Sequence, residues 1–288
     1  MHRLSSSLVL GYHGCNRSVG ERLLAGVAFE RIPRGWLAAS HRGILTRALL
    51  TKDWWWKAAV LGTFNIGANT LNVNGSVLID GALAGIGTVQ QVGNGQLHGS
   101  FPALVVGATA TVNGPLATTA GNLNISVGNL ILNGHTVTTN ASINTVNGGV
   151  LTMTNALDTV IAVNAGFGGG DQAGLLTAGA IRLSGSLSTT GSTPASRGPL
   201  NATGTHAFIF TGAGSHLMQA LAGATTLSLA NLDISGTTGD IAVTTLTPTA
   251  ASLQITGTLT AKPTGAPVVF HGVPTATVQA RSVNISRL

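Results

Sequence analysis

The chain has 288 residues, 40 of them glycine and one cysteine, and only 8% are charged, against roughly 25% in an ordinary soluble domain. The net charge of +6 is uneven: residues 1–55 hold eight Lys and Arg against three Asp and Glu, and residues 56–288 hold six against five. The near-neutral long part excludes a basic nucleic-acid groove, the lone Cys15 excludes an internal disulfide or a thiolate metal cluster, and no apolar run is long enough for a membrane-spanning helix.

Residues 1–57 have a composition of their own and are read as a leader or cap. Both glutamates of the chain, Glu21 and Glu30, and most of its arginines lie there. A lipoprotein signal ending at Cys15 is disfavoured, because three serines, Tyr12 and His13 interrupt its apolar run. Between Glu21 and Ala59 the pattern fits two short helices broken at Pro33. Leu23, Leu24, Val27 and Ala28 belong to the first, and Ile44, Leu45, Ala48 and Leu49 to the second. Three roles stay open for this segment. It is a helical or disordered leader, a cap in which Trp54, Trp55 and Trp56 cover the end of a β stack, or a weak membrane contact through the basic residues 42–57.

From residue 58 the pattern becomes β. Short apolar–polar alternations are punctuated by Asn-Gly and Asp-Gly: Leu71 and Val73, then Val77 and Ile79, then Leu104 to Val112 closing at Asn113 and Gly114. The densest run is Gly121 to Val163. There Leu123, Ile125 and Val127 are expected on one face with Leu130 and Leu132, and Asn124, Ser126, Ile131 and Asn133 on the other. A second block, 166–288, adds strands at Ile181 and Leu183, Phe208 and Phe210, Leu227 and Leu229, Leu232 and Ile234, Leu253 to Ile255, and Val268 to Phe270. A Ser/Thr/Pro/Gly loop is expected over 188–204.

Units recurring about every 20 residues match stacked-coil architectures, in which one unit cannot bury its apolar face until its neighbours stack on it. The expected fold is all-β, a right-handed parallel β-helix of very short strands, aliphatic inside with Thr, Asn and Ser outside. A β-sandwich array is the alternative. The phrases NIGANTLNVNGSVLIDG and GNLILNGHTVTTN within Phe64 to Ile161 resemble the repeated passengers of bacterial autotransporters and filamentous-haemagglutinin-type adhesins. The block GGGDQAGLLTAGAIRLSGSLS is similar to units of large secreted β-rich bacterial proteins. This resemblance implies an extracellular or cell-surface location and a structural or adhesive role, and the residues themselves give no expectation of catalysis, cofactor or metal. Polysaccharide or another surface ligand is the expected partner, and nucleic acid is not.

Several motifs compete with that reading. Gly166 to Asp171 has the look of a calcium nonapeptide, but it occurs once, and a flexible turn explains it better. Gly212 to His216 is read as a hairpin rather than a nucleotide loop, since β pattern follows it. Asp233 and Asp240 are the nearest carboxylate pair for a polysaccharide-cutting β-helix, the alternative function, and lone turn aspartates explain them equally well. The eight histidines show no metal-ligand spacing. Six N-x-S/T triplets, at Asn16, Asn74, Asn124, Asn140, Asn201 and Asn284, are expected by chance in such a composition. Thr109 with Thr111 and Thr275 with Thr277 fit an ice-binding ladder only if stacked in register.

Overall fold

A computed structural model describes residues 27–30, 36–39, 43–44, 57–60, 63–191, 199–221, 226–237, 241–245, 252–261, 270–272 and 277–285. Every regular element among them is a strand. The strands wind into a parallel β-solenoid of about eight coils. One sheet has ten strands from Thr70–Asn74 to Phe270–Gly272, a larger sheet has 16 strands, and a third has three, Gly43–Ile44, Thr63–Gly67 and Ala82–Gly85. Parallel pairing between successive coils removes the sandwich alternative, which requires antiparallel neighbours within each sheet.

The in-register pairs divide the coil into three faces. On the first, Leu116, Val137, Val160, Ile181, Phe208, Leu232 and Leu259 pair in succession. On the second, the succession is Val89, Leu104, Leu123, Ile143, Ala165, Leu187 and Met218. The third carries Ala110, Leu130 and Leu151, and, further along, Leu227, Leu253 and Val278. Because side chains alternate along a strand, every second residue of each face points into one shared interior. Leu116, Leu123, Leu130, Val137, Leu151 and Val160 are all buried there. Each such burial contributes about 1.5–3 kcal/mol before conformational entropy is subtracted.

The coil length varies, while register is kept along each face and shifts where the chain turns, as between Leu97 and Gly99 and between Ile209 and Thr211. Residues stacked on adjacent coils are 15 apart at His98 and Asn113, 20 apart at Asn124 and Asn144, and 31 apart at Gly185 and His216. The extra residues are absorbed at the corners between faces. The stack passes through Gly166 without interruption, since that residue pairs with Asn144 on one side and Ser188 on the other.

Corners explain much of the glycine content. Gly149 and Gly169 occupy the corner between the second and third faces on successive coils. A Cβ on Gly149 would run into the Ile125 carbonyl oxygen, and one on Gly169 into the Gly149 carbonyl oxygen. Only glycine lets the backbone coils approach so closely. One coil earlier the same corner holds Val127 at φ 72°, while Asn147 takes φ 51° on the following coil. A β-branched residue in the left-handed region is strained, whereas asparagine tolerates it.

Val127 therefore corrects the alternation expected for its strand: it is 70% exposed, while Leu123 and Ile125 are buried. The left-handed turn begins one residue sooner than the strand pattern implies. The loop expected over 188–204 is shorter at both ends, because Leu187–Thr190 is a strand and Leu200 and Ala202 are buried. Residues 192–198 lie outside the described residues. At the N-terminal end, Val27, Ala28 and Ile44, expected on helices, belong to the strands Val27–Glu30 and Gly43–Ile44. Pairing with neighbouring strands outweighs their helical spacing, Val27 with Ala39 and Ile44 with Asn65. Cys15, Leu23, Leu24, Leu45, Ala48, Leu49 and Trp54 to Trp56 lie outside the described residues.

Replacing Val127 by Asn is expected to raise stability by about 1 kcal/mol, seen as a higher urea midpoint, since the corner conformation costs Val roughly that much. Leu130→Ala is expected to lower stability by about 2–5 kcal/mol in the same measurement, the range for a buried leucine whose cavity cannot close.

Candidate functional site

The exterior of the second face is regular along the described coils. Its central outward row reads Asn72, Gln90, Val105, Asn124, Asn144, Gly166, Ser188 and Gln219, one residue per coil. A flanking row reads Asn122, Ser142, Asn164 and Ser186. No Asp, Glu, Lys or Arg points outward from this face between Thr70 and Gln219. Apart from Val105 and Gly166 the rows are polar because they face water, and they are neutral because like charges stacked one above another would repel.

These side chains hold one another along the axis. Asn144 Nδ2 donates to Asn124 Oδ1 at 2.9 Å, and Asn147 Nδ2 to Ser126 Oγ at 3.3 Å. In the flanking row, Asn122 Oδ1 accepts from the Ser142 backbone N–H at 3.1 Å, Asn164 Nδ2 donates to Ser142 Oγ at 3.4 Å, and Asn164 Oδ1 accepts from the Ser186 N–H at 2.8 Å. The result is an ordered strip of amides and hydroxyls.

The other candidates are dispersed. In Gly166 to Asp171, the first two residues finish the strand Asn164–Phe167, Phe167 is buried, and Asp171 Oδ1 accepts from the Ala173 N–H at 2.9 Å. The glycines between them are the corner described above. Asp233 points outward on the first face, and its Oδ1 accepts from both the N–H and the hydroxyl of Ser235, at 2.9 and 2.7 Å. Asp240 lies outside the described residues. Thr111 stacks between Gln96 and Ile131, so it heads no threonine ladder. Among the described residues no three His, Cys, Asp or Glu side chains cluster as metal ligands.

The hairpin expected at Gly212 to His216 is a corner. The strands on either side, Ala207–Gly212 and His216–Leu221, belong to different sheets, and each pairs in parallel with the adjacent coils. His216 is buried, with Nδ1 2.9 Å from the Gly185 carbonyl oxygen and its ring tilted against Phe210.

Two further arrangements escaped sequence reasoning. His98 Nε2 lies 2.9 Å from Asp80 Oδ1, its Nδ1 lies 3.0 Å from Asn113 Oδ1, and Asn113 Nδ2 donates to Gln96 Oε1 at 3.1 Å. This outer network ties three successive coils. Asn113 stands one coil, 15 residues, from His98, while Asp80 reaches it diagonally from two residues beyond Leu78, the residue His98 pairs with, so the signal becomes readable only once the coil length is known. The second arrangement is His206, fully buried at the corner between the third and first faces, edge-on to Phe208 with ring centroids 5.1 Å apart. Its Nδ1 lies 2.8 Å from the Ala178 carbonyl oxygen, and its Nε2 is buried without a hydrogen-bond partner. With Nδ1–H donating to that carbonyl, the neutral ring leaves only a lone pair in the dry interior.

Burial accordingly pushes the His206 pKa below its ordinary 6.5, outweighing the opposite pull of the Ala178 carbonyl and of Asp158. These buried groups also correct the expectation that polar side chains lie outside. Thr118 donates to Thr139 at 2.7 Å within the interior, and Gln91, Thr145, Asp158, Gln172 and Thr189 are buried too. Comparison with family models, curated proteins and solved structures gives no match.

A histidine whose folded pKa is lowered binds fewer protons in the native than in the unfolded state between the two pKa values. Stability is then present above the unfolded value near 6.5 and is lost as pH falls below it. His206→Asn, which keeps an N–H donor for the Ala178 carbonyl, is expected to flatten the fall in melting temperature between about pH 7 and pH 5. Parallel thermal melts of the two proteins across that window measure the difference.

Proposed function

We propose that the chain is a structural, adhesive segment of an extracellular bacterial surface protein, working as a rod that presents a long uncharged face. The observation that carries the reading is the continuous in-register stack, in which each coil is committed to the same three-faced cross-section. Side chains on the outer second face are fixed by their neighbours along the axis, which suits repeated weak contacts over a long surface. The resemblance of its repeated phrases to autotransporter and haemagglutinin-type passengers supports a place outside the cell. A polysaccharide-degrading β-helix is the reading that competes with it.

Incubation with a panel of polysaccharides, followed by a reducing-end assay, is expected to show no cleavage above a heat-treated control. Turnover that Asp233→Ala or Asp240→Ala abolishes would replace the structural reading with the enzymatic one. The location is checked separately by protease treatment of intact cells, where loss of the chain while a cytoplasmic marker survives is the expected result.

A further inference from the structure

We propose that the second face binds a neutral polysaccharide lying along the solenoid axis; this rests on the structural, adhesive reading and names its partner. Charge is the first discriminator. Across the outward rows from Thr70 to Gln219 the face carries amides, hydroxyls, glycine and a few aliphatic side chains, and no ionised group. An acidic polymer finds no cation there and would lose hydration without compensation, whereas a neutral chain of hydroxyls exchanges water hydrogen bonds for equivalent ones.

Geometry is the second. Adjacent coils are about 4.8 Å apart, so donors and acceptors recur along the axis at a fixed interval, as the hydroxyls of an extended glycan do. The strip is preorganised, which lowers the ordering cost of binding. Asn144 Nδ2 is held on Asn124 Oδ1, which leaves Asn124 Nδ2 and Asn144 Oδ1 for a ligand. The next coil places Gly166 between Asn144 and Ser188, and its missing side chain lets Asn144 Oδ1 lie over it, 2.7 Å from where a Cβ would sit. Half-buried Val146, on the coil of Asn144, and Val105, two coils earlier, offer apolar contact to the C–H faces of sugar rings along the strip. A protein partner is disfavoured because the strip has no Trp, Tyr or Arg anchor of the kind that dominates protein interfaces.

The test is biolayer interferometry of the full chain on an immobilised neutral β-linked glucan, with polygalacturonate as the acidic counterpart. Binding to the glucan that raised salt leaves unchanged, and no binding to polygalacturonate, is expected. Asn144→Asp combined with Ser188→Asp should weaken glucan binding at least about tenfold, while Thr138→Asp on the outer first face should not change it. Circular dichroism checks that the pair variant keeps its sheet, and Gln90→Glu serves in its place if it does not. The inference is overturned by tighter binding to polygalacturonate, by an equal loss on Thr138→Asp, or by no glucan binding. It is also overturned if sedimentation shows that the face instead joins two copies of the chain. Those outcomes leave the structural reading standing, which is replaced by polysaccharide turnover that Asp233→Ala or Asp240→Ala abolishes.

Discussion

The structure depends on one constraint: each coil must set an apolar side chain directly over the corresponding side chain of the coil before it. Leu104, Leu123 and Ile143 meet that requirement on the second face, and Leu116, Val137 and Val160 on the first. Parallel strands cannot be joined by tight turns to their own sheet neighbours. Here the chain meets that limit by travelling around two other faces before it returns. Register is thereby coupled on all three sides, since a slip of one residue on any face would turn its buried set toward water.

Where the constraint is relaxed, the sequence varies most. Corners absorb coils of 15 to 31 residues, provided the backbone can turn. Gly149 and Gly169 allow one coil to lie on the next, and Gly179, at φ 73°, has no room for a Cβ beside the backbone of Asp158. Asp158 in turn accepts from the Gly134 and Asn155 N–H groups, so a buried carboxylate completes the corner on two coils. Its neighbour further along this corner is His206, an imidazole kept neutral by the same dry packing. Polar side chains thus enter the interior where a corner leaves backbone groups in need of partners.

Outside, the same stacking that aligns the core aligns the surface. Residues that would be unrelated on a globular protein become neighbours at a regular interval, and their identity is then restricted by each other. Arg182 and Asp233 each sit beside Ile209 on the first face rather than over a like charge. On the second face the solution is neutrality, with Asn, Ser and Gly in succession. A surface assembled this way is long and repetitive, and its chemistry is that of an extended contact rather than a single centre.

The amino-acid sequence by itself determined that the chain is β, where most strands lie and which of their residues face inward, because period-two alternation and glycine–asparagine punctuation are local signals. Phe208 and Phe210, Ile181 and Leu183, and Leu130 and Leu132 are buried as their alternation implies. The corner at Gly212 to His216, the left-handed Val127, the buried His206 and the outer network of His98 were not legible. Each depends on what lies one coil away, and with coils of unequal length no fixed spacing says which residue that is. Only the tertiary structure decided which polar groups meet across coils, and hence that Asn124, Asn144, Gly166 and Ser188 form a single strip.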